Sequence, residues 1–182
     1  ACLGGNLVTA SPISDMNPML AACGATLRVA SAARGDRTVA VASFFKAYRT
    51  VDLAADEIVV SVHVPHAHED AFVRPFKQAR RREDDISIVT AGIHIRLTPT
   101  DGAWKVAEAT LAFGGLAPTV VLAPKAAAAL VGSSWDEATV GTACAALTDE
   151  LRVPLSAPGG QPEYRTALAA SFLFKFFVAT AI

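Results

Sequence analysis

ACLGGNLVTASPISDMNP, residues 1–18, is the stretch around which the rest of the chain is organised. Gly4-Gly5 interrupts a helical or a strand period, and Pro12 and Pro18 each remove a backbone donor, so the stretch reads as a shaped loop. Two adjacent glycines let a ligand approach the main chain, and consecutive N–H groups in such a turn form a concavity suited to an anion such as a phosphate. Asn6, Thr9, Ser11 and Ser14 add short polar side chains that fix oxygens without bulk. Asp15 would repel a phosphate but accepts well from sugar-type hydroxyls. The combination suggests a nucleotide-type cofactor, although a Gly-Gly turn leading into a Ser/Pro-rich loop is also ordinary connecting structure.

Downstream, Asn17-Pro18 has the form of an N-cap followed by proline at the first helical position, and predicts a short helix over 19–23 stopped by Gly24. Residues 25–31 and 37–42 alternate as strands about the Arg34-Gly35-Asp36 turn and predict a hairpin. Ser43 is placed to cap a helical turn carrying Phe44, Phe45 and Tyr48. EIVVSVHVP, residues 57–65, alternates most cleanly, with Ile58, Val60, Val62 and Val64 on the expected core face. Val59, apolar on the opposite face, is either a ligand surface or a residue covered by a loop. His66 and His68 sit on a polar turn with no third ligand in view, a pattern of solvated side chains more than of a metal site.

The composition shifts over 65–70, and the expected domain boundary lies there, with units 1–67 and 68–182. Strands over 71–78, 88–97 and 104–113, the last two joined by the Pro99-Thr100-Asp101-Gly102 turn, predict three antiparallel strands. After Gly114-Gly115 the pattern becomes helical over 124–131 and 136–151, the latter capped by Ser134 or Asp136. A last helix opens at Pro162 and carries apolar residues on nearly all sides, which predicts burial. The fold class expected is α+β: a small antiparallel sheet with short helices, followed by a three-stranded antiparallel sheet with a helical bundle.

Charged residues make up 18% of the 182, and the net charge is -1, so neither nucleic acid nor a membrane surface is an expected partner. The three cysteines are odd in number and form no CxxC, which argues against a disulfide framework, a zinc site or a cluster held here and fits a reducing compartment. No run reads as a spanning helix. The lack of an initiator Met and the end inside FLFKFFVATAI lead us to expect a piece of a longer polypeptide.

The most heavily charged stretch is FKQARRREDDI, residues 76–86, in which Lys77, Arg80, Arg81 and Arg82 run directly into Glu83, Asp84 and Asp85. One reading is a solvated turn with ion pairs worth under about 1 kcal/mol each. The other is a loop that sets the potential at a bound redox group, since a charge about 5 Å away at an effective dielectric near 20 is worth roughly 3 kcal/mol.

GGNLVTASPISDMNP, then FKQARRREDDISIVTAG, then APGGQPEYRTALAASFLFKF together resemble the flavin-binding region of the eukaryotic xanthine dehydrogenase/oxidase family, in that family's order and over essentially the whole chain. The resemblance implies the second part of an FAD-binding (PCMH-type) domain followed by a CO-dehydrogenase-flavoprotein-like C-terminal subdomain. It implies an enzyme that oxidises hypoxanthine and xanthine to urate at a molybdenum cofactor (molybdopterin) and passes electrons through 2Fe-2S clusters to FAD and then to NAD or oxygen. The parent would be a cytosolic homodimer, with the peroxisome as the alternative compartment. The molybdenum and cluster sites, and the rest of the flavin-contacting chain, would lie elsewhere in the parent. By the same resemblance, Ala1, Cys2 and Gly5 offer backbone to FAD, with Asn6, Ser14 and Asp15 around its pyrophosphate and ribityl chain. Val59 and Lys77 line the flavin or its chain. Arg81, Asp84 and Tyr48 belong to the region where NAD meets the flavin. Cys2 departs from the hydroxyl residue common at its position, so only its backbone contact carries over. No catalytic or metal-ligating residue is expected in this stretch. The alternatives are an FAD subunit of a carbon monoxide dehydrogenase or aldehyde oxidase type enzyme, and a non-catalytic module whose arginines bind an acidic partner or RNA. Against the last, the acids follow immediately and no aromatic platform accompanies the arginines.

Overall fold

The computed structural model describes residues 2–100 and 102–180. The first half contains α1 (Leu3–Thr9), α2 (Asn17–Ala22), β1 (Thr26–Ser31), β2 (Gly35–Ala40), α3 (Val41–Phe44), β3 (Phe45–Ala47), β4 (Thr50–Val51) and β5 (Glu57–His63). The second half contains β6 (Ala71–Ala79), β7 (Ser87–Thr100), β8 (Ala103–Gly114), β9 (Val121–Leu122), α4 (Pro124–Leu130), α5 (Glu137–Glu150) and α6 (Pro162–Thr180). Strand orders are β2-β1-β5, β3-β4 and β6-β7-β8-β9, all pairs antiparallel. The α+β class is as expected, with the two-residue β9 added to the three long strands of the second sheet.

Residues 3–9 form a helix where the sequence reads as a loop. Gly4 and Gly5 fall in its first turn, whose N–H groups have no intrahelical acceptor in any helix, so the glycines interrupt no completed ladder. Cys2 sits extended at the N-cap and its Sγ accepts from the Gly5 N–H at 3.2 Å. The turn holds because Leu7 is fully buried in the first-half core, with α1 packed beside β4 and β5. Asn17 is likewise inside α2, not its cap, and its N–H donates to Ser14 Oγ at 3.1 Å.

The face expected on β5 holds at Val62 but not at Ile58, Val60 and Val64. Between Arg28/Val29 the pairing with β1 slips by one, so Val60 has no partner on β1. Val59 and Val62 pack against the first-half core, while Ile58, Val60 and Val64 are exposed. The helical turn near Ser43 stops at Phe44, and Phe45 already belongs to β3. Ser43 lies within that turn, its Oγ donating to the Ala40 carbonyl. On α6, Leu168, Phe172, Leu173 and Phe176 are buried but Phe174 and Val178 are exposed, so the helix is covered on one side only.

The long sheet joins the halves because its two faces differ in side-chain size. Val89, Ala91, Ile93, Leu111 and Phe113 turn toward α4, α5 and α6 and form the larger core. Gly92 and Ala112 are cross-strand partners on the opposite face, where α2 docks. A Cβ on Gly92 would stand 2.5 Å from the Pro18 carbonyl oxygen and 2.6 Å from Met19 Cα, so only glycine admits α2 at this distance. The α5 cap is Asp136, accepting from the Thr139 N–H.

Candidate functional site

Ala10, at φ 48°, turns the chain out of α1 and into residues 11–17, which lie along β7. Ser14 is the hub of this segment and only 4% exposed. Its hydroxyl donates to Asn6 Oδ1 at 2.6 Å and accepts from the Asn17 N–H, while its carbonyl accepts from Thr90 Oγ1 at 3.1 Å. The Pro12 carbonyl accepts from the Gly115 N–H at 2.8 Å. Asp15 Oδ2 accepts from Lys77 Nζ at 2.7 Å, and its Oδ1 from Ser87 Oγ. Asn6, Ser14, Asp15 and Lys77, distant in sequence, therefore form one contiguous set.

The donor set fits a dinucleotide-type cofactor. The Leu3 and Gly4 N–H groups open the first turn of α1, a Cβ on Gly4 would meet nothing within 4 Å, and no acidic residue lies in that turn to repel a pyrophosphate. Asp15 is half exposed, open to hydroxyls of a flexible chain. Cys2 caps this turn and takes the Gly5 N–H on its Sγ; Ala1 lies outside the described residues. Val59 is half-buried against the core on β5, which packs beside α1.

The loop 80–86 has little structure beyond its own turn. The Arg81 N–H and the Ile86 N–H donate to the Asp85 carboxylate, and the Arg81 guanidinium donates to the Asp84 carbonyl at 2.8 Å. These bonds, the Arg81 N–H first, hold the Asp85 carboxyl below the usual carboxylate range. Asp84 adopts φ 47°, a left-handed conformation that Asp tolerates. Among the described residues Arg80, Arg82, Glu83 and Asp84 make no ion pair. An open cleft of about 690 Å³ borders the loop, lined by Gln78, Arg80, Ile88, Leu155 and Tyr164.

Tyr48 is exposed at the two-residue tip between β3 and β4, with the Arg49 guanidinium carbon 5.8 Å from its ring centroid. As a lone aromatic, Tyr48 reads from the sequence more as a core residue than as part of a nicotinamide pocket, but the hairpin tip turns it outward. β4 packs beside α1, so the hairpin adjoins the cofactor turn. Arg37 holds the hairpin's far side: its guanidinium makes two bonds to the Glu57 carboxylate and one to the Asp52 carbonyl. Arg37 is also the main reason the Glu57 carboxyl is lowered to about 2. Among the described residues no group of His, Cys, Asp and Glu could hold a metal ion, and no helix is long and apolar enough to cross a membrane.

Sequence reasoning missed Ser87 and Thr90, the two hydroxyls that fasten residues 14–15 to β7. Their only signal is two small hydroxyl residues in the otherwise apolar run that follows the charged loop.

Residues 74–180 match the CO dehydrogenase flavoprotein C-terminal domain, and residues 1–67 match the FAD binding domain in molybdopterin dehydrogenase. The chain belongs to the flavoprotein part of the molybdenum hydroxylase family. FAD is the cofactor of this domain, and molybdenum and iron–sulfur centres are features of the parent enzymes. The chain is similar to xanthine dehydrogenase/oxidase of Gallus gallus, 44% identical over 179 residues that cover 98% of this chain and 13% of the relative. It is equally similar to nicotinate hydroxylase of Emericella nidulans, 44% identical over 97% of this chain and 13% of the relative. The chain thus spans about an eighth of the length of these curated relatives. Quinoline 2-oxidoreductase from Pseudomonas putida 86 superposes with a TM-score of 0.82 at 30% identity, covering 100% of this chain and 60% of that one. The carbon monoxide dehydrogenase of Hydrogenophaga pseudoflava, with a TM-score of 0.86 at 23% identity over 96% of this chain and 58% of that one, shares the fold.

Proposed function

We propose that the chain is the FAD-holding part of a xanthine dehydrogenase, a homodimeric enzyme that oxidises hypoxanthine and xanthine to urate, with NAD or oxygen as the final acceptor. The observation that carries the reading is the Asn6–Ser14–Asp15–Lys77 set pinned on β7 beside the open first turn of α1. In this reading units 1–67 and 68–182 act together, because Asp15 comes from the first and Lys77 from the second. FAD held by these residues would supply the redox chemistry.

The residues of the chain orient and tune. The Leu3, Gly4 and Gly5 main chain, with Cys2, takes the pyrophosphate end, and Asn6, Ser14 and Asp15 take ribityl hydroxyls. Val59 and Lys77 line the cofactor. Loop 80–86 presents either the Arg81 cation or the Asp84 anion to the region where the acceptor arrives, a cation favouring negative charge nearby and Asp84 favouring the positive nicotinamide. Tyr48, exposed on a hairpin beside α1, offers a stacking face there.

Identity of 44% to xanthine dehydrogenase/oxidase over 98% of this chain supports this reading. Equal identity to a nicotinate hydroxylase supports a second: the same flavoprotein unit serving a hydroxylase of a different heterocycle, the substrate being chosen in a part of the parent enzyme outside this chain.

Two measurements on the full-length enzyme test the proposal. Asp15→Ala is expected to raise the FAD dissociation constant by about tenfold or more, the scale of losing a hydrogen bond to a charged group; unchanged, stoichiometric FAD would remove Asp15 from the site. Asp84→Asn, which keeps a residue tolerant of φ > 0, should lower NAD reduction relative to xanthine oxidation with an artificial acceptor that takes electrons upstream of the flavin. An unchanged ratio at full FAD occupancy would return the charged loop to a solvated turn. Xanthine turnover by the parent separates the purine reading from the nicotinate one.

A further inference from the structure

The last rung between β6 and β7 pairs Ala79 with Ser87, and loop 80–86 closes on it. Between Gln78 and Ala79 the register slips, leaving Ile88 without a partner. In an unbroken strand Ser87 and Thr90, three positions apart, would point to opposite faces. The bulge at Ile88 puts both on the face that meets residues 14 and 15: Thr90 Oγ1 bonds the Ser14 carbonyl and Ser87 Oγ bonds Asp15 Oδ1. Gly115 makes room for the bulge, since a Cβ there would stand 2.2 Å from the Ile88 carbonyl oxygen.

The Asp15 carboxylate consequently spans the base of the charged loop. One oxygen accepts from Lys77, two residues before the end of β6, and the other from Ser87, the first residue of β7. The two donors differ in kind. Lys77 is a point charge on a long stem, 36% exposed, and fixes distance more than direction. Ser87 is 4% exposed, on a short side chain at a strand start, and fixes the carboxylate plane.

We infer that Ser87 is a positioning residue, aiming the Asp15 carboxylate at the cofactor's hydroxyls and tying the cofactor loop to the base of loop 80–86. The inference rests on the reading of Asp15 as a cofactor ligand. Removing the hydroxyl leaves Asp15 on Lys77 alone, so the carboxylate swivels and the β7 side of the loop loses its cross-tie. FAD binding and the conformation of the charged loop are then coupled through one carboxylate and two donors, with Ser87 as the directional one.

The test uses the full-length enzyme with Ser87→Ala, Ser87→Thr and, as reference, Asp15→Ala. Two quantities are read: the FAD dissociation constant after reconstitution of the deflavinated enzyme, and the rate of tryptic cleavage after Arg80, Arg81 and Arg82 in the FAD-loaded form. Ser87→Ala is expected to weaken FAD by about tenfold, the scale of one hydrogen bond to a charged acceptor, and to speed cleavage in the loop several-fold. Ser87→Thr, which keeps the hydroxyl, should restore both to within about threefold of wild type. If Asp15→Ala weakens FAD but Ser87→Ala leaves both readings within twofold, the inference is overturned and the cofactor reading stands. If Asp15→Ala itself leaves FAD binding unchanged, the reading of Asp15 fails and this inference with it. A Ser87→Ala enzyme that merely melts lower, with FAD affinity unchanged or with both losses unrescued by threonine, reduces Ser87 to a packing residue and overturns the inference as well.

Discussion

Between Ser11 and Asn17 the chain is fastened at nearly every step: Pro12 to Gly115, Ser14 to Asn6, Asn17 and Thr90, Asp15 to Lys77 and Ser87. Between Arg80 and Ile86 the bonds are all internal, and Ile86 is 71% exposed. Both stretches are polar and both lie beside the same strand, so composition does not separate them. What separates them is the surface each meets. Residues 11–17 lie on the small-residue face of β7 and β8, where Gly92 and Gly114 let main chain reach main chain, whereas residues 80–86 project past the strand end. In the proposed reading, the stretch that holds the ligand is built into the sheet, and the stretch whose charges meet the acceptor is bonded only within itself.

The contrast breaks most severely at Gly92. Gly92→Ala drives a methyl into the Pro18 carbonyl, lifts α2 and the preceding loop from β7, and should cost about 3 kcal/mol of stability on the scale of overpacked cores, read by urea unfolding together with loss of FAD. Next comes Ser14→Ala, which strips Asn6 and the buried Asn17 N–H of a partner and should cost about 2 kcal/mol, the penalty of an unsatisfied buried group; the same measurements apply. A smaller effect is expected in acid. Glu57, lowered to about 2 from 4.5, contributes stability that is fully present above about pH 4.5 and is lost as pH falls through about 2. Glu57→Gln should therefore flatten the melting temperature between those limits relative to wild type, with no such flattening above pH 5. Smallest of all, Arg82→Ala should change stability by less than about 0.5 kcal/mol, because its side chain makes no ion pair among the described residues; a larger loss would mean that the charged loop is built in after all.

The long hairpin was legible because apolar strand patterns flank a Pro-Thr-Asp-Gly signal; Pro99 and Thr100 already pair within the hairpin, and Gly102 stands at φ 81°. The capped helix at Asp136 was legible for the same reason, a local pattern agreeing with a local cap. Three features were not, and each turns on something no period records. Helix α1 forms against its glycines because they occupy a first turn and Leu7 is buried by residues far along the chain. The faces of β5 and of the β7 start are set by bulges, which shift the alternation by one residue and expose Ile58 in one case while bringing Ser87 to Asp15 in the other. Tyr48 stands outside because the chain turns between it and Arg49. Of the candidate site, the polar residues of the cofactor loop could be named from the residues, and Lys77 from the family resemblance; the donors that aim them could not.

Amide hydrogen exchange on the full-length enzyme, deflavinated and then reconstituted with FAD, tests the account most directly. The account predicts slowed exchange over residues 3–6 and 14–17 when FAD is restored, with the core of β7 from Ile93 to Ile95 protected in both states. FAD binding that left residues 3–6 and 14–17 exchanging as before would contradict it.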